Sequence, residues 1–534
     1  MQKIQREFDV VVVGGTPGGI AAAVAAARRG RSVALVERSY HVGGMSTSGL
    51  GKSDIERREI IGGVFSDFIR RVKQRYVNTL GADSEQFRYC RNGYYFEPSV
   101  AEGVFHDILR DAGDITLLLG HQLEGADVER DRVRAIRVTD LQTGTDHYLT
   151  ATVFIDATYE GDLYAAGGAA YRLGRESRQE FDEPHAGVIY FDYQNGVILP
   201  RSTGAGDDRL PAYTYRLCLT TDPDNGVALT EQPSGYQRET YLPYLEDLAE
   251  GRLSAPKVLN DGWGYYPEHF DTLLRALSVT DLSSGKVDAN INPRPLAFPF
   301  PEENIGYIEG DWETRDRIAH RHRELTLGLL WFLQQDESVP ARHQKMARQY
   351  NLPRDEFTDN DHFPWQLYIR EGRRLEGLYT MTQHDVTHLP GSPETPEFDD
   401  TIAMGEFPID SFPVRKRQPG DTQVLEGYLG MLAHITRPYK IPYRAMIPRQ
   451  LEGIIVPVAL SATHVAYSSI RMEPTWMALG HAAGVAADLS LKRNSDVRDV
   501  PIPELQQQLA KEGQVLRLPD EKTQARTRAK ARLV

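Results

Sequence analysis

The stretch from Phe8 to Glu37, FDVVVVGGTPGGIAAAVAAARRGRSVALVE, constrains this chain more than any other. Phe8 to Val13 is a short apolar run rich in β-branched residues, which predicts a buried strand. Gly14 and Gly15 turn the chain. Pro17 falls in the first turn of the helix that follows, where a missing N–H costs no intrahelical bond. Ile20 to Ala27 is nearly all alanine, the strongest helix former, and small enough for close packing on a sheet. Gly30 ends the helix. Ser32 to Val36 is a second strand, closed by Glu37. The product is a βαβ unit with a glycine turn aimed at a helix N-terminus, the geometry that holds a dinucleotide pyrophosphate. Glu37 is placed to accept hydrogen bonds from a ribose diol. Thr16 departs from the G-x-G-x-x-G pattern, standing where the middle glycine would be. The competing reading is an ordinary buried βαβ unit; the flanking strand, the capping glycine and the terminal acid together favour dinucleotide binding.

Bulk properties remove several classes of function. A chain of 534 residues predicts two or three domains. Its net charge of −14 weighs against a nucleic-acid partner or an anionic membrane surface, both of which need a basic face. Cys90 and Cys218 form no C-x-x-C, so neither a redox disulfide nor a cysteine zinc site is expected. Glycines and Pro17 interrupt the apolar N-terminus, which belongs to the βαβ unit. We read no secretion signal and no transmembrane span, and expect a soluble, cytoplasmic protein. His320 and His322 stand i,i+2 on a helix and point apart, and His384–Asp385 has no third ligand in reach, so no metal site is expected.

Beyond Glu37 lies a glycine- and serine-rich loop, Arg38 to Asp54, whose Gly43-Gly44 doublet permits close backbone approach to a cofactor. Helices are predicted over Glu59–Tyr76 and Pro98–Arg110, and a strand over Ile115–Gly120. Arg132–Thr139 and His147–Val153 alternate around Gly144 as a hairpin or meander. Val153–Ala157 is a further buried strand, expected to return beside the first. From about 170 to 300 the chain is more β-like, with strands at Val188–Leu199 and Tyr213–Thr220 and helical spacing at Glu239–Ala249 and Phe270–Leu277. Two long amphipathic helices are predicted, Trp312–Asp336 and Trp365–Tyr379, separated by a polar connector, 351–364. Pro390–Glu397 is a loop. Ile441–Ile447 and Gly453–Val458 are predicted strands, Arg471–Ser490 contains a helix rich in small residues, and Pro503–Leu516 is a last helix before a charged tail from Pro519. The organisation expected is a Rossmann-like α/β dinucleotide domain split between N- and C-terminal segments (1–170 and 441–495), an inserted α+β substrate domain (171–440), and a C-terminal helix and tail (496–534).

No second glycine fingerprint follows a later strand, so the single site is expected to hold FAD rather than to exchange a nicotinamide. Eight segments carry a resemblance. They are G14-G-T-P-G-G, E37 with V42-G-G-M-S-T-S-G-L-G, F154-I-D-A-T-Y-E-G-D162, Y215-R-L-C-L-T220, W365-Q-L-Y-I-R-E-G-R-R374, G405-E-F-P-I-D410, I441-P-Y-R-A-M446 and S461-A-T-H-V-A-Y-S-S-I-R-M-E-P-T-W-M-A-L-G480. Together they resemble the FAD-dependent oxidoreductase family (FAD_oxidored), from about residue 8 to 490, the last block being the most specific. The resemblance implies a glutathione-reductase-type FAD fold. It implies that Gly14, Gly15, Thr16, Pro17, Gly18, Gly19, Glu37, Arg38, Gly43, Gly44, Met45, Ala157, Thr158 and Gly161 lie along the adenosine and pyrophosphate. It places Arg471, Gly480, Ala483 and Gly484 at the isoalloxazine and ribityl end, with the helix at 473–487 pointing its N-terminus at the flavin. Some family members carry a histidine where this chain has Phe412, and no catalytic role is assigned there.

The expected reaction is oxidation of a polar small molecule by hydride transfer to flavin N5 from a CH–OH or CH–NH donor, with a base if a proton must also leave. His464, in the most specific block, is the leading base; a structural histidine is the alternative. Arg216, Arg444 and Arg471 are candidates to fix an anionic or polyhydroxylated substrate or the flavin phosphate, against the alternative of buried ion pairs. Tyr443 and Tyr467 are pocket candidates or core residues, Lys52 could reach the flavin, and His41 is a conceivable point of covalent attachment. Two other functions stay open: a flavin-dependent C–C desaturase or reductase, and a flavin-binding tRNA modifier or scaffold, the latter disfavoured by the net charge. The sequence leaves the electron acceptor open.

Overall fold

In the computed structural model, residues 4–192, 194–255, 266–388, 391–392, 394–419, 421, 424–520 and 524 are described. Four residues of unbroken valine, Val10–Val13, end strand β1 (Ile4–Val13), and all four are buried. Helix α1 (Pro17–Ala27) follows and is buried at every position, as its alanines allow. Strand β2 (Val33–Glu37) returns parallel to β1. Helices α2 (Gly63–Leu80) and α3 (Pro98–Arg110) cover the same face of the sheet as α1, and each has a strong apolar stripe. Strand β3 (Ile115–Leu119) joins the far side of β2. Strands β4 (His121–Glu129), β5 (Arg132–Asp140) and β6 (Thr145–Asp156) form the antiparallel meander expected from their alternation.

The sheet order is β3-β2-β1-β6-β5-β4. Val13 is level with both Val36 and Asp156, so three strands end together at one carboxyl edge. Ligands in open parallel sheets gather at such an edge. A smaller antiparallel sheet follows, built from β7 (Leu217–Thr220), β8 (Val279–Asp281) and β9 (Lys286–Ala289), with β9 central. Helix α4 (Trp312–Gln335) starts from an Asp311 cap. Strands β10 (Thr401–Gly405) and β11 (Tyr439–Pro442) pair with each other. Strand β12 (Ile454–Ile455) then rejoins the main sheet, parallel to the end of β6. Helix α5 (His464–Ile470) leads into α6 (Glu473–Arg493), and α7 (Ile502–Lys511) closes the described chain. Among the described residues, no helix is long and apolar enough to cross a membrane.

Helix α6 lies directly on α1. A Cβ at Gly480 would overlap the carbonyl oxygen of Gly18, and one at Gly484 would overlap that of Ala22. Small residues on both helices let the backbones approach this closely, and the contact welds the end of the chain to its beginning.

Four expectations fail locally. Trp365–Tyr379 is not a helix: Leu367–Leu375 threads the interior as irregular chain, buried at every residue, with strand only at Arg374–Leu375. Its backbone pairs outward, Tyr368 N–H to Thr214 O at 2.8 Å and Leu375 N–H to Ala459 O at 3.0 Å. With both sides buried, the apolar spacing reflects two-sided packing rather than one helical face. Val188–Leu199 contains only a two-residue hairpin, Phe191–Asp192 with Val197–Ile198. Phe270–Leu277 is a single 3₁₀ turn over Leu273–Ala276. The strand expected at Ile441–Ile447 stops at Pro442, and Tyr443–Met446 is a 3₁₀ turn. Pro390, Pro393 and most of the charged tail lie outside the described residues.

Candidate functional site

The glycine turn is held from three sides. A Cβ on Gly14 would come within 2.6 Å of the Ala157 carbonyl, and one on Gly19 would overlap the oxygen of Gly14. Gly14 also has a φ of +102°, which disfavours any side chain. Thr16 replaces the expected glycine with a working part. Its hydroxyl caps α1 by accepting from Gly19 N–H at 3.1 Å and donates to Ala157 O at 2.9 Å. The first turn of α1 contains no acidic side chain, which leaves its positive end to a phosphate. Glu37 accepts from Gly15 N–H at 2.7 Å and Ser39 N–H at 2.8 Å. Each carboxylate oxygen retains a lone pair for a ribose hydroxyl. Gly43 N–H donates to Gly15 O at 2.7 Å, which ties the second loop to the first. Gly44 is packed so tightly that a Cβ would strike the Tyr159 hydroxyl.

These groups open onto a slit of about 190 Å³ along the carboxyl edge, walled by Gly14, Thr16, Glu37, Arg38, Thr158 and Trp312 among others. Arg38 lies 4.7 Å over the Trp312 ring and is clamped on Asp316 at 2.7 and 3.0 Å. Glycine turn, helix N-terminus and strand-end acid fit a dinucleotide such as FAD. Asp156 fixes the far wall by accepting from Thr158 N–H, Thr158 Oγ1 and Tyr164 N–H at 2.7–3.0 Å, and burial pushes its carboxyl up to about 6.

One buried segment runs between the slit and a larger cavity: Trp365, Gln366 and Leu367 wall the slit, while Tyr368 and Arg370 wall the cavity. The cavity holds about 390 Å³, and eight cationic side chains against four acidic ones line it. Arg216, on the segment entering β7, is gripped by Asp288 of β9 at 2.8 Å, and Asp288 also accepts from Gly51 N–H at 2.9 Å. Arg471, between α5 and α6, donates to Tyr368 Oη at 3.1 Å and to Asp410 O at 2.8 Å. Asp410 Oδ2 is 3.4 Å from the same guanidinium. Burial raises the Asp410 carboxyl above the usual range, against the lowering pull of Arg471 and Arg370.

Several expected site residues are placed elsewhere. His464 lines neither cavity. It is buried, with Nδ1 at 2.7 Å from Glu371 and Nε2 at 3.1 Å from Ser411 Oγ, so both ring nitrogens serve the protein. Arg444 is half-exposed, 3.8 Å from Asp400 and stacked on Tyr379, away from both spaces. Gly480 and Gly484 face α1 rather than a flavin, and Ala483 is buried in the same helix packing. Gly161 packs on the Tyr164 ring, and Met45 is wholly buried with its N–H on Tyr159 Oη at 3.1 Å. Tyr443 and Tyr467 are core residues whose hydroxyls donate to Val497 O and Val458 O. His41 has both nitrogens 2.9 Å from carboxylates, Glu102 and Asp359, which leaves neither for covalent attachment. Lys52 does line the cavity.

Sequence reasoning missed Asp54, Arg58, Arg275, Arg294, Arg370 and Asp410 as cavity residues. Arg370, directly after the apolar run Leu367–Ile369, carried a usable signal, since an arginine adjoining a buried run is costly to bury. His121, Asp140 and His147, on three neighbouring strands, bring ligand atoms within 4.8 Å of one another, a grouping that no sequence spacing announces.

Two further carboxyls are pushed up to about 8 by burial: Glu406, whose Oε1 accepts from Glu56 N–H at 2.7 Å, and Glu473, which accepts from Tyr159 Oη at 2.6 Å at the head of α6. The folded state therefore binds protons that the unfolded state releases above about pH 4.5, so stability falls as pH rises from there to about 8. We expect the melting temperature to decline between pH 5 and pH 8. Glu406→Gln should flatten that slope by on the order of 1–3 kcal/mol at pH 8. A slope unchanged in the variant would show that Glu406 titrates normally.

A profile of the FAD dependent oxidoreductase family matches residues 9–509. The soluble pyridine nucleotide transhydrogenases of Mycobacterium tuberculosis and Mycobacterium bovis are 55% identical to this chain over 40 residues, which is 8% of this chain and 8% of theirs. A geranylgeranyl bacteriochlorophyll reductase-like protein from Thermoplasma acidophilum is 11% identical over 99% of this chain and 88% of its own, with a TM-score of 0.35. The myxobacterial chondrochloren halogenase CndH is 12% identical over 94% of this chain and 78% of its own, with a TM-score of 0.32. The family match runs through both halves of the split sheet, the slit and the cavity, and the chain belongs to the FAD dependent oxidoreductase family as an FAD-dependent enzyme.

Proposed function

We propose that this enzyme oxidises a polar small molecule at a carbon bearing a hydroxyl or an amine. We assign the FAD pyrophosphate and adenosine to the slit, against Gly14, Gly15, Thr16, Gly18, Gly19, Glu37 and Thr158. When bound, the flavin supplies a two-electron acceptor for the hydride of that C–H bond. The observation that carries the reading is the cavity beside this slit, the two walled by successive residues Leu367 and Tyr368 of one buried segment; the cavity's walls are mostly hydrogen-bonding side chains. Such walls suit a hydroxylated or aminated substrate and leave buried polar groups unmatched by a hydrocarbon.

The proton of the hydroxyl or amine needs an acceptor in the cavity wall. Asp410 fills that role in our reading, since it reaches the cavity while Arg471 holds its backbone oxygen at 2.8 Å. Its raised carboxyl brings a carboxylate base closer to working pH. His464, with both nitrogens engaged, supports the site from behind.

The test is anaerobic mixing of the flavin-loaded enzyme with panels of polyols, hydroxy acids, amino acids and amines, followed by flavin bleaching. Bleaching by one class is expected. Asp410→Asn should retain FAD and slow bleaching by about 10²–10⁴-fold, with the wild-type rate rising with pH through the Asp410 titration. Failure of every alcohol and amine to bleach, combined with reoxidation of the reduced enzyme by an enoate, would replace this reading with C–C reduction.

A further inference from the structure

The cavity has a charge imbalance that its own walls do not settle. Arg370 is 1% exposed. Its guanidinium donates to Ala212 O and Thr214 Oγ1, each at 2.9 Å, and is sandwiched against the rings of Phe412 (3.7 Å) and Tyr368 (4.3 Å). Among the described residues no carboxylate forms an ion pair with it, and its Nε–H has no acceptor. Arg216, 3% exposed, spends Nε on Asp288 and keeps Nη2 without a partner. Arg58 on the cavity wall stacks 4.0 Å over Tyr94 and forms no ion pair among the described residues. Of the acids near these arginines, Asp288 and Asp410 are committed to Arg216 and Arg471, and Asp54 on the cavity wall acts on Arg216 by its charge without a direct ion pair.

A buried charge without a partner costs several kcal/mol. Proteins keep such a group when a ligand supplies the opposite charge, and arginine's planar fork matches an oxyanion in two-point contact. We propose that the substrate carries an oxyanion, a carboxylate or a phosphate or sulfate ester, which the cavity binds through Arg370 and Arg216 with Arg58 as a further contact. Burial and the neighbouring arginines push the Arg370 guanidinium down to about 9, the direction expected of a cation awaiting its anion. This inference rests on the cavity being the substrate site. It narrows the candidates to hydroxy or amino acids and to phosphorylated or sulfated polyols.

The experiment is calorimetric titration of the flavin-loaded enzyme with sodium malonate, inorganic phosphate and sodium sulfate, at ionic strength held constant with chloride. Saturable binding of at least one is expected; malonate alone marks a carboxylate head group, and phosphate or sulfate alone marks an ester. Arg370→Met should weaken that binding at least tenfold without lowering the melting temperature, because it removes an uncompensated charge. A merely structural arginine would show the opposite sign on stability. Arg58→Gln, at a half-buried position, should weaken binding several-fold with the fold intact. No saturable binding of any oxyanion, or wild-type affinity in both variants, overturns the proposal. The two readings fail separately. Bleaching by neutral polyols or amines with no oxyanion binding would keep the oxidation and sink the anion. Tight oxyanion binding with no bleaching by any alcohol or amine would do the reverse.

Discussion

Gly480→Ala is expected to destabilise the protein by about 3 kcal/mol or more and to strip it of FAD together. The new methyl would overlap the Gly18 carbonyl, and neither backbone can retreat, since Gly18 sits in the first turn of α1 and Gly480 in the second turn of α6. Overpacking that must be relieved by moving two helices lies at the costly end of core substitutions. One of the two displaced helices is α1, whose Thr16 cap walls the slit, so cofactor retention falls with stability. Gly125→Ala on β4 is the control, because the added methyl there meets only the end of the Arg137 side chain, at 3.3 Å. Thermal unfolding and the flavin-to-protein absorbance ratio of the two purified variants give the comparison. A Gly480→Ala protein as stable and as yellow as Gly125→Ala would mean that the helices are further apart than described.

The second large effect is at Arg374, which is fully buried between Glu176 (2.7 Å) and Glu371 (2.8 Å). Those same two glutamates hold His464: Glu176 Oε2 accepts from the His464 backbone N–H at 2.8 Å, and Glu371 Oε2 lies 2.7 Å from His464 Nδ1. Arg374→Met leaves two buried carboxylates facing each other without a cation. Breaking a buried pair from one side costs about 3–5 kcal/mol, and here two pairs break. We expect a matching loss in denaturant unfolding, partly restored by adding Glu176→Gln and Glu371→Gln. His464→Ala should act on the same network, lowering stability and flavin reduction in parallel rather than reduction alone. A stable Arg374→Met protein would show that the network is incidental.

How much of this was legible in the sequence depended on whether the signal was local. The opening βαβ unit was legible because its valine run, glycine turn and alanine helix each state their conformation within a few residues. Helix α3 was legible to the residue, since Pro98 and the apolar stripe mark its start and face. The interior segment at 367–375 was not, because burial on both sides erases the periodicity that separates extended chain from helix. The cavity was least legible. Arg58, Arg216, Arg370 and Arg471 come from four separate segments, and only the fold brings them together. His464 misled for a related reason: its block leads into the helix that packs on α1, and its ring is held by Glu371 and Ser411, partners distant in sequence.

The meeting of α1 and α6 also sets an order of events during synthesis. The first helix leaves the ribosome early, but the surface that closes over it is some 460 residues downstream. Until α6 arrives, the all-buried alanine helix α1 stands open to solvent on the side that α6 covers. This enzyme cannot mature domain by domain from its N-terminus. It must wait, with the apolar face of α1 uncovered, until α6 has been made.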